Sequence, residues 1–500
     1  MAPAATEAEQ SWDVIVIGGG PAGENAAQYA IKGSDRTAVI VEAALLGGEC
    51  SYWACVPSKA LLRPVEVVDA GRALPGVAEV LAGPVDVGAT FARRDEFVHH
   101  HDDSGQVDWA HDNGIELVRG RGRLVGERTV AVTPSGGGSR VLGAREAVVI
   151  ATGSSAAVPP VEGLREAKPW TSHDVTNLRE VPGRVAIIGG GVVACESATW
   201  LKGLGAAEIT IIELGPSLLG HLEPFAGQLT AERFRKLGIN VQTGTELESV
   251  DRPDAQDTGV GRMHGGPATI TAAGSTFEVD EIVVAAGRRP RTDDLGLESL
   301  GVDVSKSHGF LLVDERMSVP GAGEWLYAVG DVCGKALLTH MGKYQARIAG
   351  AVISARAEGR PLDGSRYRDL ADDGAVPAVI FTDPQVASVG LTEAGARERG
   401  TDVESLELDI TVQGANLLRD DYEGRAKLVV DRASDTLVGA TFVGSDVAEL
   451  LHSATTAIAG KVTLEQLWHA VPSYPTVSEV WLRLLESRAE APGGGSRIGS

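Results

Sequence analysis

The chain has 500 residues, 43% of them hydrophobic, a mean hydropathy near zero and a net charge of −23. Length implies about three or four domains, the charge argues against nucleic acid or an anionic membrane surface as a partner, and no apolar run reaches the ~18 residues of a spanning helix. Four cysteines are too few for a secreted disulfide scaffold.

Residues 1–10, MAPAATEAEQ, hold no basic residue and no apolar run, so they read as a loose tail rather than a signal peptide, and a cytoplasmic protein is expected. An apolar strand, Val14 to Ile17, then runs into Gly18-Gly19-Gly20 and a helix-forming stretch. The pattern returns with the strand Val185 to Ile188, the turn Gly189 to Gly191 and a helix through Ala198. Each unit ends in a second strand closed by an acid, Glu42 or Glu213, 19 residues past the third motif position. Further strand–turn segments are EAVVIATG (146–153), with Thr152 and Gly153 at its turn, EIVVAAGRRP (281–290), with Gly287 at its turn, and LYAVGDV, which places Asp331 after a buried strand. Beyond residue 375 alternating strands and a helix from Glu449 to Gly460 indicate a separate α+β domain, and APGGGSRIGS reads as a flexible end.

Gly18-x-Gly20-x-x-Gly23 follows a strand, opens a helix and has its acid at the proper distance. Such glycines permit a tight turn and close backbone approach to a pyrophosphate, which then rests on the helix N-terminus. Glu42 would accept from the adenosine ribose hydroxyls. The second cradle is Gly189-x-Gly191-x-x-Ala194, where alanine fills the position used for helix–strand packing. A carboxylate at Glu213 accepts a ribose 2′-hydroxyl and repels a 2′-phosphate, and no Arg stands between Glu213 and Arg233. NADH is therefore expected over NADPH.

Cys50 and Cys55 lie in Gly47-Gly48-Glu49-Cys50-Ser51-Tyr52-Trp53-Ala54-Cys55-Val56-Pro57-Ser58-Lys59. In an ideal helix, residues five apart rise about 7.5 Å, beyond the roughly 7 Å reach of a disulfide. A bridge here requires a distorted turn, and its strain would favour a reducible bond over a structural one. A zinc site and a pair of unreactive thiols are the alternatives, the first lacking a second Cys/His pair nearby.

Together these segments resemble the pyridine nucleotide-disulfide oxidoreductases, the family of dihydrolipoamide dehydrogenase, glutathione reductase and mercuric reductase. GGECSYWACVPSK resembles the family's disulfide motif, ATGSSAAVPP its hinge, GRRPRTDDLGL and LYAVGDV its closing flavin segments, and VPAVIFTDPQVASVGLTE the start of its dimerisation domain. The likeness spans roughly residues 11–488 in collinear order. It implies an α/β fold with two Rossmann-like dinucleotide-binding domains and a C-terminal α+β dimerisation domain. The expected bounds are 11–155 and 288–374 for the two parts of the FAD domain, 156–287 for the NAD domain, 375–488 for the interface domain, and tails at 1–10 and 489–500.

The resemblance implies that Gly18, Gly20, Gly23, Glu42, Gly48, Lys59, Thr152, Gly153 and Asp331 bind FAD. It likewise implies that Gly189, Gly191, Ala194, Glu196, Glu213 and Gly287 bind NAD. Cys55 would be the flavin-proximal thiol, forming a charge-transfer pair with the flavin, and Cys50 the interchange thiol. Lys59 would sit near flavin N5 and pair with Glu196, while Asp331 would bind the ribityl chain. A homodimer is implied, because the family's acid/base histidine and its orienting glutamate come from the partner subunit.

At that histidine's place the sequence has Tyr474, in Val471-Pro472-Ser473-Tyr474-Pro475-Thr476, while Glu479 is retained. A phenol with an ordinary pKa near 10 is a poor base at neutral pH beside imidazole near 6.5. His469 reads as an ordinary histidine. Tyr-Pro-Thr resembles the soluble nicotinamide transhydrogenases, which generally lack the full cysteine pair. Mercuric and large thioredoxin reductases need a C-terminal cysteine pair, whereas the last cysteine here is Cys333. The expectation is an NADH-dependent flavoprotein reductase acting through Cys50, Cys55, Lys59, Glu196, Tyr474 and Glu479 on a small acceptor such as a quinone, an electrophile or an unusual disulfide. The alternatives are a transhydrogenase, a dihydrolipoamide dehydrogenase-like disulfide reductase, and a flavin sensor without turnover. No metal is expected; His99 to Asp103 (HHHDD) reads as a solvated helix face.

Overall fold

A computed structural model describes residues 8–372 and 374–490. The chain forms two compact units, one of Met1–Pro57, Asp95–Ala156 and Arg288–Asp372, the other of Ser58–Arg94, Ala157–Gly287 and Asp373–Ser500.

The first unit is built on a parallel sheet in the order Ile115–Arg119, Ala38–Glu42, Gln10–Ile17, Arg140–Ile150. Leu326–Ala328 adds in parallel to Arg140–Ile150, and the strands Thr129–Thr133 and Arg121–Gly126 continue the sheet antiparallel. Val14, Ile15 and Val16 are fully buried, which is why this strand is a continuous apolar run and not an alternation. Pro21 opens the helix Pro21–Ile31, where its missing N–H costs nothing and its fixed φ suits the first turn. Ala26, Ala27 and Ala30 of this helix share a core with Ala346, Ala349 and Ile353 of the helix Thr339–Ala357. The approach is close enough that a Cβ on Gly350 would lie 2.5 Å from the Cβ of Tyr29.

The second unit repeats the scheme. Its parallel sheet runs Asn240–Thr243, Glu208–Glu213, Arg184–Ile188, Glu281–Val284, and its cradle helix is Val192–Gly203. The same unit holds a five-stranded antiparallel sheet in the order Pro377–Ile380, Gln385–Gly390, Thr436–Gly444, Arg425–Asp431, Val403–Asp409. The helices Leu450–Ala459 and Glu479–Glu490 bury Leu451, Ala454, Val480 and Leu484 in that sheet's core. The fold is thus α/β, with two parallel-stranded sheets, each opening into a glycine turn and helix, and a C-terminal α+β portion.

Two local expectations change. The first strand begins at Gln10 and the last helix runs to Glu490, each within a span expected as a tail; positions 1–7 and 491–500 lie outside the described residues. HHHDD is not a helix face. His99, His100 and His101 form a 3-10 turn with φ of 48°, 51° and 61°, and the ring of His101 packs 4.4 Å from that of Trp53. No helix among the described residues is long and apolar enough to cross a membrane.

Candidate active site

In the first unit, the cradle Gly18–Gly23 is shaped by contacts that only glycine allows. A Cβ on Gly18 would sit 2.3 Å from the Ala151 carbonyl oxygen, and one on Gly23 would sit 1.9 Å from that of Gly18. Gly20 caps the helix Pro21–Ile31 with no side-chain hydrogen bond, and a Cβ there would meet nothing nearer than 3.9 Å. An uncapped helix N-terminus with open space before it suits a pyrophosphate, so the residues present fit FAD. Glu42 aims its carboxylate back at this turn, accepting from the Gly19 N–H at 2.6 Å and the Ala44 N–H at 2.7 Å.

The disulfide segment leans on the same turn. Gly47 and Gly48 have φ of +106° and +61°, and a Cβ on Gly48 would fall 2.6 Å from the Gly20 Cα. From there the helix Gly48–Tyr52 carries Cys50, the chain breaks at Trp53 (φ −132°), and Cys55 opens the helix Cys55–Arg72. This interruption, rather than one distorted turn, lets residues five apart bring their sulfurs together. Both are half-buried thiols. The Cys50 thiol is pushed well up, first by its hydrogen bond with Cys55, then by burial and the charge on Cys55, while Thr339 and Lys343 pull it the other way. Cys55 Sγ lies 3.2 Å from Thr339 Oγ1. Asp331 accepts from Ser154 Oγ at 2.5 Å, and Thr152 Oγ1 donates to the Arg291 carbonyl at 2.7 Å. Gly153 has φ +71° and open space at its Cβ position.

In the second unit, Gly189 (φ +111°) would drive a Cβ to 2.5 Å from the Ala285 carbonyl oxygen, whereas Gly191 and Gly287 face open space. Ala194 is fully buried, as its packing position requires. Gly191 caps the helix Val192–Gly203 without a side-chain hydrogen bond, and the Glu213 carboxylate accepts from the Gly215 N–H at 2.5 Å. These residues fit a second dinucleotide for the same reasons. Lys59 Nζ and Glu196 Oε2 are 2.7 Å apart, with only 5% of the Glu196 side chain exposed. The other Glu196 oxygen accepts from the Phe381 N–H at 3.0 Å, and Lys59 Nζ stands 4.9 Å from the centre of the Phe381 ring. Tyr474 is 73% exposed. Glu479 is buried; Oε1 accepts from Arg483 at 2.6 Å, and Oε2 has no hydrogen-bond partner among the described residues.

Sequence reasoning missed Thr339, Phe381 and the salt bridges of Glu49 with Arg288 and Arg291. Each is a long-range partner carrying no local motif; only Glu49, standing beside Cys50, gave a signal by its position.

The sequence profile of the pyridine nucleotide-disulphide oxidoreductases matches residues 12–357, and the profile of their dimerisation domain matches 376–484. The chain belongs to this family. Dihydrolipoyl dehydrogenase of Thermus scotoductus is 33% identical over 96% of this chain and 97% of its own. Mercuric reductase of Staphylococcus aureus is 30% identical over 94% of this chain and 81% of its own. Among solved structures, the HOCl-induced flavoprotein disulfide reductase RclA of Escherichia coli, as its Cu(II) complex, superimposes with a TM-score of 0.79 at 23% identity, covering 95% of this chain and 99% of that one. The protein is accordingly an FAD-dependent oxidoreductase that uses a pyridine nucleotide, with a redox disulfide and a dimerisation domain.

Proposed function

We propose that the enzyme is a homodimeric, cytoplasmic NADH-dependent reductase that delivers electrons through Cys50 and Cys55 to a small acceptor that needs no imidazole acid. The observation that carries this reading is the pairing of an intact dithiol, hydrogen-bonded to Thr339, with a tyrosine where the family's acid/base histidine belongs. Bound FAD supplies two-electron transfer between the nicotinamide and the disulfide. Lys59, itself 37% exposed, neutralises the buried Glu196 carboxylate, which is costly to bury unpaired, and Glu213 selects the unphosphorylated ribose. Cys55 is the flavin-proximal thiol and Cys50 the interchange thiol that meets the acceptor. A polar cavity of about 600 Å³ lined by Glu24, Gln28, Gln106, Trp109 and Lys343 supports a small polar acceptor: Lys343 acts electrostatically on Cys50, and Gln106 accepts from the Tyr52 hydroxyl at 3.0 Å.

Anaerobic titration with NADH tests the assignment. Two-electron reduction should produce a long-wavelength charge-transfer band. Cys55→Ser should abolish it, and Cys50→Ser should display it without reductant. Identical behaviour of the two variants would sink the proximal and distal assignment. Reduction that stops at the flavin, leaving the disulfide idle, would favour a transhydrogenase, the reading that the Tyr-Pro-Thr ending keeps open.

A further inference from the structure

Glu49 stands directly before Cys50 on the helix Gly48–Tyr52. Its carboxylate is gripped from both sides, Oε2 by Arg288 Nη2 at 2.7 Å and Oε1 by Arg291 Nη2 at 2.6 Å. Arg288 is itself fixed, donating from Nε to Ser154 Oγ at 2.6 Å and from Nη2 to the Ser154 carbonyl at 2.9 Å. Ser154 in turn donates to Asp331, and the strands Ser154–Ala156 and Arg288–Pro290 are paired antiparallel. Two guanidinium groups and two carboxylates therefore form one balanced, partly buried cluster joined to the disulfide segment. Glu49 and Arg288 side chains are only 19% and 20% exposed, so solvent screens them less than it would surface charges, whereas Arg291 is 46% exposed and more fully screened.

We propose that Glu49, the residue preceding Cys50, is a positioning residue that balances the guanidinium groups of Arg288 and Arg291 and thereby sets how readily the Cys50–Cys55 disulfide is reduced. The inference rests on the reading of these cysteines as a redox pair. In that reaction a hydride equivalent, two electrons and one proton supplied by the pyridine nucleotide, breaks one S–S bond and leaves one thiol and one thiolate. Negative charge thus appears on sulfur, and the cluster's net charge weighs on the equilibrium. Without the Glu49 carboxylate the guanidinium groups are underbalanced and favour the reduced state. Without Arg291 the carboxylates prevail and oppose it.

The test equilibrates the FAD-loaded protein with mixtures of reduced and oxidised dithiothreitol at pH 7, followed by alkylation and mass spectrometry of the Cys50–Cys55 peptide. Glu49→Gln should shift the equilibrium about tenfold toward the dithiol, about 30 mV for a two-electron couple. Arg291→Gln should shift it several-fold the other way. The double variant should return to within about threefold of wild type, and Glu49→Asp, which keeps the charge, should stay close to it. A mere structural brace would instead move both single variants in the same direction, with no cancellation in the double, and that result overturns the proposal. A normal disulfide whose equilibrium ignores both substitutions overturns it as well, leaving the redox reading intact. Wild-type protein that never forms the disulfide overturns both.

Discussion

Glu479 divides its two oxygens between an ion pair with Arg483 and a buried position with no hydrogen-bond partner among the described residues. A buried acceptor left in that state is costly, and in the function proposed above this carboxylate would orient an imidazole placed at position 474. The phenol of Tyr474 lies 73% exposed and offers no imidazole for proton transfer. Tyr474→His should therefore raise turnover of small disulfides or dithiols tenfold or more, within the 10²–10⁴-fold that general acid–base catalysis typically contributes. Reduction of a dye or quinone should stay within a few-fold. Steady-state assays with both acceptor classes check this, and robust disulfide turnover by the unmodified enzyme would show that another group supplies the proton.

At the scale of elements, the first cradle helix carries an unusual acid. Glu24, one residue past Gly23, has its carboxyl pushed up to about 7, chiefly by burial, with Glu42 adding to the rise and Lys343 opposing it. Its pKa in the folded chain thus exceeds the unfolded value near 4.5. The unfolded state loses its proton first as pH rises, so the stabilising contribution is complete below about pH 4.5 and fades as pH climbs through about 7. Glu24→Gln keeps the neutral form at every pH. Urea denaturation should find the variant little changed at pH 5 and more stable than wild type at pH 8, by up to about 3 kcal/mol. Equal differences at the two pH values would show that Glu24 ionises freely in the folded protein. The elements themselves were largely legible: the apolar runs Val14 to Ile17 and Val185 to Ile188 read as strands, and the structure pairs them in parallel with both faces covered. HHHDD misled because its composition permits a helix, while the observed positive φ values, for which histidine is enriched among non-glycine residues, arise where His101 meets Trp53.

For the whole molecule, both cradles offer uncapped helix N-termini of at least 11 residues' helix length, so binding should stabilise the folded chain by mass action. Purified protein should be yellow with one FAD per chain, and FAD at a hundredfold its Kd should add about 2.7 kcal/mol to the stability of the apoprotein. NADH should exceed NADPH in kcat/KM by at least about tenfold, roughly 1.4 kcal/mol. Equal rates would show that Glu213 does not read the ribose.

What the sequence determined by itself was the local chemistry: two glycine cradles with their acids at fixed spacing, and the cysteine pair. These are legible because turn geometry and helix N-termini are built from residues close in the chain. The tertiary structure decided which distant side chains complete them. Thr339 reaches Cys55 across 284 positions, Glu196 is pinned by the Phe381 backbone 185 positions away, and Arg288 and Arg291 close on Glu49 from 239 and 242 positions off. Such pairs leave no periodicity or motif, because it is the packing of strands and helices, not chain spacing, that brings opposite charges into a partly buried site where each stabilises the other.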